Sequence, residues 1–407
     1  MKKIAVWSGF ILAVFLGYVA YGTPEQLPPA AGPWIEVPVR VFQGAQFVDS
    51  LQPPDFTLNE DGQPQKIEAF YLVQKGRVVR EVPAAEFKPH LPRTFYLFFQ
   101  MTEFDPKIEV PLKHYFNAVV IPGDSTTIVT PLKPYNLAAQ ALKLKSGDSL
   151  AKEMHGILRK DIQKSSGEYR SLLTELKRMV QTIDGVSGSP DPTVEMDVTD
   201  SGFGLDFILP RYKNALEKLE GLRLVEEQKL LDFAGALKRQ PGQKIVFFFY
   251  QREFLPEINQ NIFNQLIADN QGRDDIIASL QELFVYYNRR SQFKYDRVSQ
   301  AFADAGINFN FVFMDQQARY VFGITMKEQS GDVFKLFSEL ARTTGGAMDN
   351  SFNPGAGFNK TADHAENYYL LYYRPTRPEP DRAFRKISIT LNNPNYAAVY
   401  RTGYYAR

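Results

Sequence analysis

Four apolar runs alternate with long amphipathic segments in the middle of this 407-residue chain. Residues 93–100, 125–132, 244–251 and 307–315 are nearly continuous stretches of aromatic and β-branched side chains, without the regular polar alternation of a half-exposed strand. Such runs are typical of strands buried on both faces, as in a parallel sheet covered by helices. The intervening segments carry apolar residues every three or four positions, which is typical of helices packed on a sheet. The alternation therefore predicts βαβ units and a doubly wound sheet.

Both ends of the chain carry strand signals instead. Residues 34–90 contain alternating apolar and polar positions around a turn signal at 59–62, and residues 363–407 contain three further strand-like runs. Each flank is too small to bury a good core alone. The predicted fold class is therefore α/β plus β: an antiparallel β-sandwich formed by the N- and C-terminal strands, with an α/β domain over residues 91–362 inserted between them. Two separate small β units are the alternative.

The N-terminus has the pattern of an export signal. Lys2 and Lys3 precede an uncharged, apolar segment over residues 4–22. This segment is about long enough to cross a bilayer, so residues 1–22 are predicted to be either a cleaved signal peptide or a signal anchor. In both cases the lysines predict that the rest of the chain lies outside the cytoplasm: in the periplasm or cell envelope, secreted, or anchored in the inner membrane. Residues 23–33, rich in Pro and Ala, are interpreted as an extended linker.

The composition excludes several classes of function. The 47 Lys and Arg nearly balance the 46 Asp and Glu, giving a net charge of +1, so binding of nucleic acid by counterion release is not expected. There is no cysteine, which excludes disulfides, thiolate metal sites and a cysteine nucleophile. The four histidines, His90, His114, His155 and His364, are isolated from one another. We therefore expect no cofactor, no catalytic set and no nucleic-acid partner.

Six phrases, in this order along the chain, together resemble the bacterial (acidobacterial-type) von Willebrand factor A-related proteins. They are DFTLNEDGQPQKIEAF at 55–70, RTFYLFFQ at 93–100, Pro-Gly-Asp at 122–124, LKRQPGQKIVFFF at 237–249, FSELARTTGGAMDN at 337–350, and the closing segment at 366–406. The resemblance covers residues 34–406 and is weakest over about 144–221, which we interpret as a helical insertion. It implies a von Willebrand factor A-like domain inserted in, or flanked by, a β-sandwich.

The same resemblance implies a metal-ion-dependent adhesion site, in which an Asp-x-Ser-x-Ser motif, a loop Thr and a second Asp hold Mg²⁺. At the matching positions this chain has Gln100, Thr102, Phe104 and Gln251, and the loop at 145–148 contains no Thr. Neutral amides and a phenyl ring are poor substitutes for the hard oxygen ligands that Mg²⁺ requires. We therefore expect a degenerate site without metal, in which Gln100, Thr102 and Gln251 hydrogen-bond one another or a polar group of a partner.

The export signal, the resemblance and the missing catalytic set together predict an exported, non-catalytic, adhesion-like protein-interaction module that works without metal. Its partner is expected to be a protein. The alternative is a structural subunit of an envelope or extracellular protein assembly, in which the central domain serves as a scaffold. If the apolar segment at 4–22 is a signal anchor and is not cleaved, it also anchors the chain in a membrane.

Overall fold

The computed structural model describes residues 34–82, 89, 91–137, 139–183, 204–223, 225–288, 295–316 and 324–406. The predicted export segment at 1–22 and the linker at 23–33 lie outside these residues. In the part of the chain that is described, no helix has the length and apolar character needed to cross a membrane.

Strands and helices are both abundant in the described chain. The strands are β1 (Ile35–Gln43), β2 (Gln46–Phe47), β3 (Phe56–Glu60), β4 (Gln63–Gln65), β5 (Ala69–Gln74), β6 (Arg77–Val82), β7 (Arg93–Gln100), β8 (Ser125–Val129), β9 (Pro134–Leu137), β10 (Gln243–Gln251), β11 (Phe254–Glu257), β12 (Ile307–Met314), β13 (Thr325–Glu328), β14 (Met348–Phe352), β15 (Asn367–Tyr373), β16 (Phe384–Leu391), β17 (Ala397–Tyr400) and β18 (Gly403–Tyr405). The helices are α1 (Glu109–His114), α2 (Ala139–Leu144), α3 (Gly147–Ser165), α4 (Gly167–Ile183), α5 (Leu205–Arg223), α6 (Glu227–Lys238), α7 (Gln260–Asp269), α8 (Asp274–Asn288), α9 (Tyr295–Asp304), α10 (Gly331–Thr343) and α11 (Pro354–Glu366). This mixture, with several antiparallel sheets, confirms the α/β plus β prediction at that general level.

The central sheet has the strand order β14-β12-β10-β7-β8-β9, and its pairs are parallel except for the β8–β9 pair at one edge. Every residue of β10 and of β12 is buried, as expected for strands with helices on both faces. Successive side chains of β10 enter opposite cores: Phe247 and Phe249 pack against α1, α3 and α11, whereas Phe248 and Tyr250 pack against α6, α9 and α10. The aromatic run of β10 thus supplies both layers of the core.

Two antiparallel sheets are built from the ends of the chain. In the larger one, with the order β17-β1-β15-β5-β6, the C-terminal strand β15 lies between the N-terminal strands β1 and β5. The smaller one, with the order β18-β16-β3-β4, likewise pairs N-terminal β3 with C-terminal β16. Both sheets contribute to one apolar core, in which Val37 and Leu371 of the larger sheet pack with Leu58 and Ile389 of the smaller.

A buried acidic side chain also joins the two ends of the chain. The carboxylate of Glu60 in β3 accepts hydrogen bonds from the hydroxyls of Tyr373, at 2.6 Å, and Tyr404, at 2.8 Å. The buried guanidinium of Arg385 lies 3.4 Å from the same carboxylate and also pairs with the exposed Asp381 at 3.2 Å. Since a buried charge needs compensation, this cluster fixes β3 against the C-terminal strands.

The amino-terminal edge of the central sheet contacts the larger antiparallel sheet through Glu36. One carboxylate oxygen of Glu36 accepts a hydrogen bond from the Gln243 side chain at 2.6 Å, and the other accepts one from the Tyr372 hydroxyl at 2.6 Å. The Arg401 guanidinium donates to the backbone carbonyl of Glu36 at 2.6 Å. These contacts join the start of β10 to β1 and β15.

A buried lysine beside this junction makes the stability of the fold depend on pH. Burial lowers the pKa of Lys244 from its usual value to about 8, and the positive charge of Arg401 acts in the same direction. Because the unfolded chain holds this proton more tightly, the cost of burying Lys244 is fully present below pH 8 and is relieved as the pH rises from 8 towards 10.5. The shift corresponds to a cost of about 3 kcal/mol below pH 8.

We therefore expect Lys244→Met to increase the free energy of unfolding at pH 7 by about 2–3 kcal/mol, and to remove the rise in stability of the natural chain between pH 8 and 9.5. Urea unfolding at pH 7, 8 and 9.5 measures both effects. The control is Lys218→Met, at an exposed position on α5. Parallel pH profiles for Lys244→Met and the natural chain would contradict this account.

A separate helical module lies at the opposite, carboxyl-terminal edge of the central sheet. Its apolar core is formed by α4 and α5 with α7, α8 and β11, and β11 follows directly after the end of β10. The predicted insertion at about 144–221 contains α4 and most of α5, but α7 and α8 come from a second stretch between β10 and β12. The module therefore draws on two parts of the chain that the sequence pattern does not connect.

Candidate functional site

The order of strands in the central sheet changes direction at β7. Strands β8 and β9 follow on one side of β7, whereas β10, β12 and β14 lie on the other. In open α/β sheets, ligands bind in the crevice outside the carboxyl ends of the strands at such a switch point. β7 and β10 are parallel neighbours, so Gln100 and Gln251, their last residues, lie at this crevice. This edge is the candidate functional site.

The buried side chain of Gln251 holds the loop that follows β7. Its Oε1 accepts hydrogen bonds from the backbone N–H of Thr102, at 3.2 Å, and of Glu103, at 3.0 Å. A carbonyl oxygen has two lone pairs, so these two bonds use its accepting capacity. The structure thus brings Gln251 and the backbone of Thr102 together, while Gln100 lies half-buried at the end of β7.

Thr102 and Phe104 have different surroundings within this loop. The Thr102 hydroxyl oxygen is buried and has no hydrogen-bond partner among the described residues. The Phe104 ring packs edge-on against the His155 ring of α3, with 5.0 Å between ring centroids, and contacts the core below α1 and α3. The Phe104 side chain therefore has a packing role and offers no polar atom to a ligand.

An ion-paired arginine that the sequence pattern did not single out also lies at this edge. The Arg252 guanidinium, directly after β10, lies 3.1 Å from the carboxylate of Asp315 and 2.5 Å from that of Glu328. Its flat face also lies over the rings of Phe254 and Phe352, at 4.9 Å and 4.7 Å from their centroids. The hydrogen bond to Glu328 is the main reason why the pKa of Arg252 is raised.

This arginine cluster leaves a signal in the sequence. Arg252 follows the end of β10 and Asp315 follows the end of β12, and parallel neighbours bring their carboxyl ends to one edge. Two opposite charges directly after neighbouring buried strands therefore predict an ion pair. The contribution of Glu328 from β13 and the stacking on Phe352 depend on tertiary structure that the pattern does not contain.

A second polar cluster lies at the end of β8. The buried carboxylate of Asp161 in α3 accepts hydrogen bonds from the hydroxyls of Thr130 and Tyr135, both at 2.8 Å. Burial, followed by the contact with Asp161, raises the pKa of the Tyr135 hydroxyl to about 12. The cluster links α3 to the turn between β8 and β9 and so has a structural role.

The side chains at this edge do not fit a magnesium ion. Gln251 already uses its carbonyl oxygen on two backbone N–H groups, and the half-buried Phe104 packs against the core. Over the described residues there is no group of three or more His, Cys, Asp or Glu placed to hold a metal ion. A divalent cation here would exchange its water for too few and too weak ligands.

No protein-family model, curated protein or solved structure matches this chain. The interpretation of the site therefore depends on its own geometry. That geometry consists of two neutral amides at the switch point, a stacked and ion-paired arginine, and a helical module beside them.

Proposed function

We propose that this chain is an exported, non-catalytic protein-interaction module with a von Willebrand factor A-like central domain. Its partner surface is the carboxyl-terminal edge of the central sheet. The observation that carries the proposal is the use of the Gln251 carbonyl oxygen to hold backbone N–H groups, which leaves the switch point with a structural amide in place of a reactive group. When the six strands of the central sheet are renumbered in chain order, with β7 as strand 1, their order across the sheet is 3-2-1-4-5-6. This is a common doubly wound order and supports the A-like interpretation.

The chemistry of the edge suits a protein partner. Arginine and aromatic residues are enriched where interfaces gain most of their binding energy. Arg252 lies over Phe352, whose side chain remains 37% exposed. On the neighbouring helical module, Phe284 and Val285 of α8 are 53% and 66% exposed. Phe352 thus supplies apolar contact area beside the ion-paired Arg252. Phe284 and Val285 supply further apolar area on the helical module.

The test is capture of partners from envelope extracts by the full chain and two matched variants. We expect one discrete protein to be retained by the natural chain and lost with Arg252→Ala, with an affinity decrease of about 30-fold, since a binding hot spot contributes about 2 kcal/mol or more. Arg342→Ala is the control, because Arg342 is an exposed arginine that pairs with Glu339 on α10. Equal capture by Arg252→Ala and Arg342→Ala would argue against this surface.

The structural-subunit alternative is favoured by one observation. Among the described strands, β6 lies at the edge of the larger antiparallel sheet and exposes Val78 and Val79. An exposed apolar edge is a template for pairing with another copy. Concentration-dependent self-association that Val79→Lys abolishes would favour this alternative over the interaction module.

Metal independence is a separate prediction of the proposal. Calorimetric titration of the full chain with Mg²⁺, Mn²⁺ and Ca²⁺ is expected to show no saturable site, because Gln100 and Gln251 supply no negative charge. EDTA is expected to leave both the melting temperature and partner capture unchanged. A micromolar Mg²⁺ site that Gln100→Ala abolishes would restore a metal-dependent adhesion mechanism.

A further inference from the structure

A cavity of about 300 Å³ opens beside Gln100 and Thr102 and continues between helix α6 and the central sheet. Its inner wall is mainly aromatic and buried. Six of the rings that line it belong to Phe98, Phe233, Phe248, Phe302, Phe309 and Phe337. Since protein interiors contain few voids larger than a water molecule, an apolar cavity of this size needs a physical explanation.

The lining of the cavity extends across several strands of the central sheet. Its lining includes Val129 of β8, Phe98 of β7, Val246 of β10 and Phe309 of β12, so it crosses four adjacent strands. Three strand spacings correspond to about 14 Å. A volume of about 300 Å³ is at the lower end of the range for small-molecule pockets. This shape matches one extended, unbranched chain better than a fused ring or a branched side chain.

The mouth of the cavity is polar, in contrast to its inner end. The exposed or half-buried polar residues of the lining include Thr102, Ser165 and two side chains of opposite charge, Lys164 and Glu168. Lys229, also at the mouth, is held by Glu226 at 2.6 Å. The buried Thr102 hydroxyl oxygen has no hydrogen-bond partner in the described part of the chain, although buried polar atoms usually have one. Since this oxygen is buried, the Thr102 side chain would have to rotate towards the cavity for its hydroxyl to bond the polar end of a ligand.

We propose that this cavity binds a single unbranched alkyl chain that ends in a carboxylate or a hydroxyl group. The alkyl chain lies along the aromatic wall below α6, and its polar end hydrogen-bonds Thr102 at the carboxyl edge of the sheet. An apolar cavity stays dry and favours an apolar guest, so burial of methylene groups drives binding. Arg252 does not line this cavity, although the cavity opens at the same edge of the sheet as the proposed protein-partner surface.

Calorimetric titration of the full chain with saturated fatty acids tests the proposal. We expect one binding site per chain and an affinity that increases about fourfold per added methylene from hexanoate to decanoate, the equivalent of about 0.8 kcal/mol per buried CH₂. Dodecanoate and dodecanol then distinguish the two polar ends: tighter binding of dodecanoate assigns the site to a fatty acid, and tighter binding of dodecanol assigns it to a fatty alcohol. Absence of saturable binding for both overturns the proposal.

Two matched variants locate the bound chain. Leu230 lines the cavity, whereas its neighbour Leu231 packs on the same core outside it. Leu230→Phe is expected to fill the cavity and weaken binding at least tenfold without lowering the melting temperature, while Leu231→Phe leaves binding within about twofold. Thr102→Val keeps the shape of the side chain and is expected to weaken binding about fivefold, which provides a test if Leu230→Phe does not fold. Unchanged binding in both Leu230→Phe and Thr102→Val overturns the proposal.

Discussion

A variant that lacks residues 367–407 is expected to lose the folded structure of the N-terminal strands as well as the deleted ones. β15 lies between β1 and β5, where Leu371 pairs with Val37 on one side and with Phe70 on the other. Removing β15 leaves unpaired edges on both neighbours and exposes the apolar core that the two antiparallel sheets share. The remaining hairpin of β5 and β6 is too small to be stable alone.

Amide hydrogen exchange over residues 35–43 and 69–74 measures this effect, and protection there is expected to fall to that of an unfolded chain. The control lacks only residues 403–407, which removes β18 from the edge of the smaller sheet. That variant is expected to keep the β1–β15–β5 arrangement and its protection. Native protection at β1 and β5 in the larger deletion would show that the N-terminal unit folds independently.

Glu60→Ala is expected to reduce the free energy of unfolding by about 3–5 kcal/mol, because it leaves the buried guanidinium of Arg385 without its buried counter-charge. The same change removes the acceptor of the Tyr373 and Tyr404 hydroxyls. Unfolded hydroxyls hydrogen-bond water instead, so each lost bond adds to the cost. Urea unfolding measures the effect.

Asp381→Ala is the matched control for this prediction. Asp381 pairs with the same Arg385, but its side chain is 50% exposed, so its loss is expected to cost about 0–1 kcal/mol. The double variant Glu60→Leu with Arg385→Leu is expected to recover much of the lost stability, since it removes both buried charges together. A cost below 1 kcal/mol for Glu60→Ala would mean that the carboxylate cluster does not hold the two sheets together.

Four strands of the central sheet, β7, β8, β10 and β12, were predictable because burial on both faces leaves a continuous apolar run. The expected run at 244–251 corresponds to β10 (Gln243–Gln251), and that at 307–315 corresponds to β12 (Ile307–Met314). The short edge strand β9 (Pro134–Leu137) has no such signal, since its residues are only half-buried or exposed. A prediction that depends on burial therefore misses such edge strands.

The candidate site was predictable only in position. Gln100 and Gln251 were expected at one edge, and the structure brings β7 and β10 together there. The sequence could not show that Gln251 would bond backbone N–H groups, because that contact depends on the path of the loop after β7. The two-part helical module and the cavity below α6 are also invisible to periodicity, since both arise from packing between distant segments.

The arrangement of β15 between β1 and β5 sets an order of events during synthesis. Glu60 and Tyr373, which meet in the shared core, are 313 positions apart in the chain. At about 5–20 residues per second, the N-terminal strands leave the ribosome roughly 15–60 s before their central neighbour exists. During that interval β1 and β5 have unpaired edges and Glu60 lacks its C-terminal partners. Pairing of β15 with β1 and β5 closes these edges, and the strands that follow it, β16, β17 and β18, then complete the two antiparallel sheets.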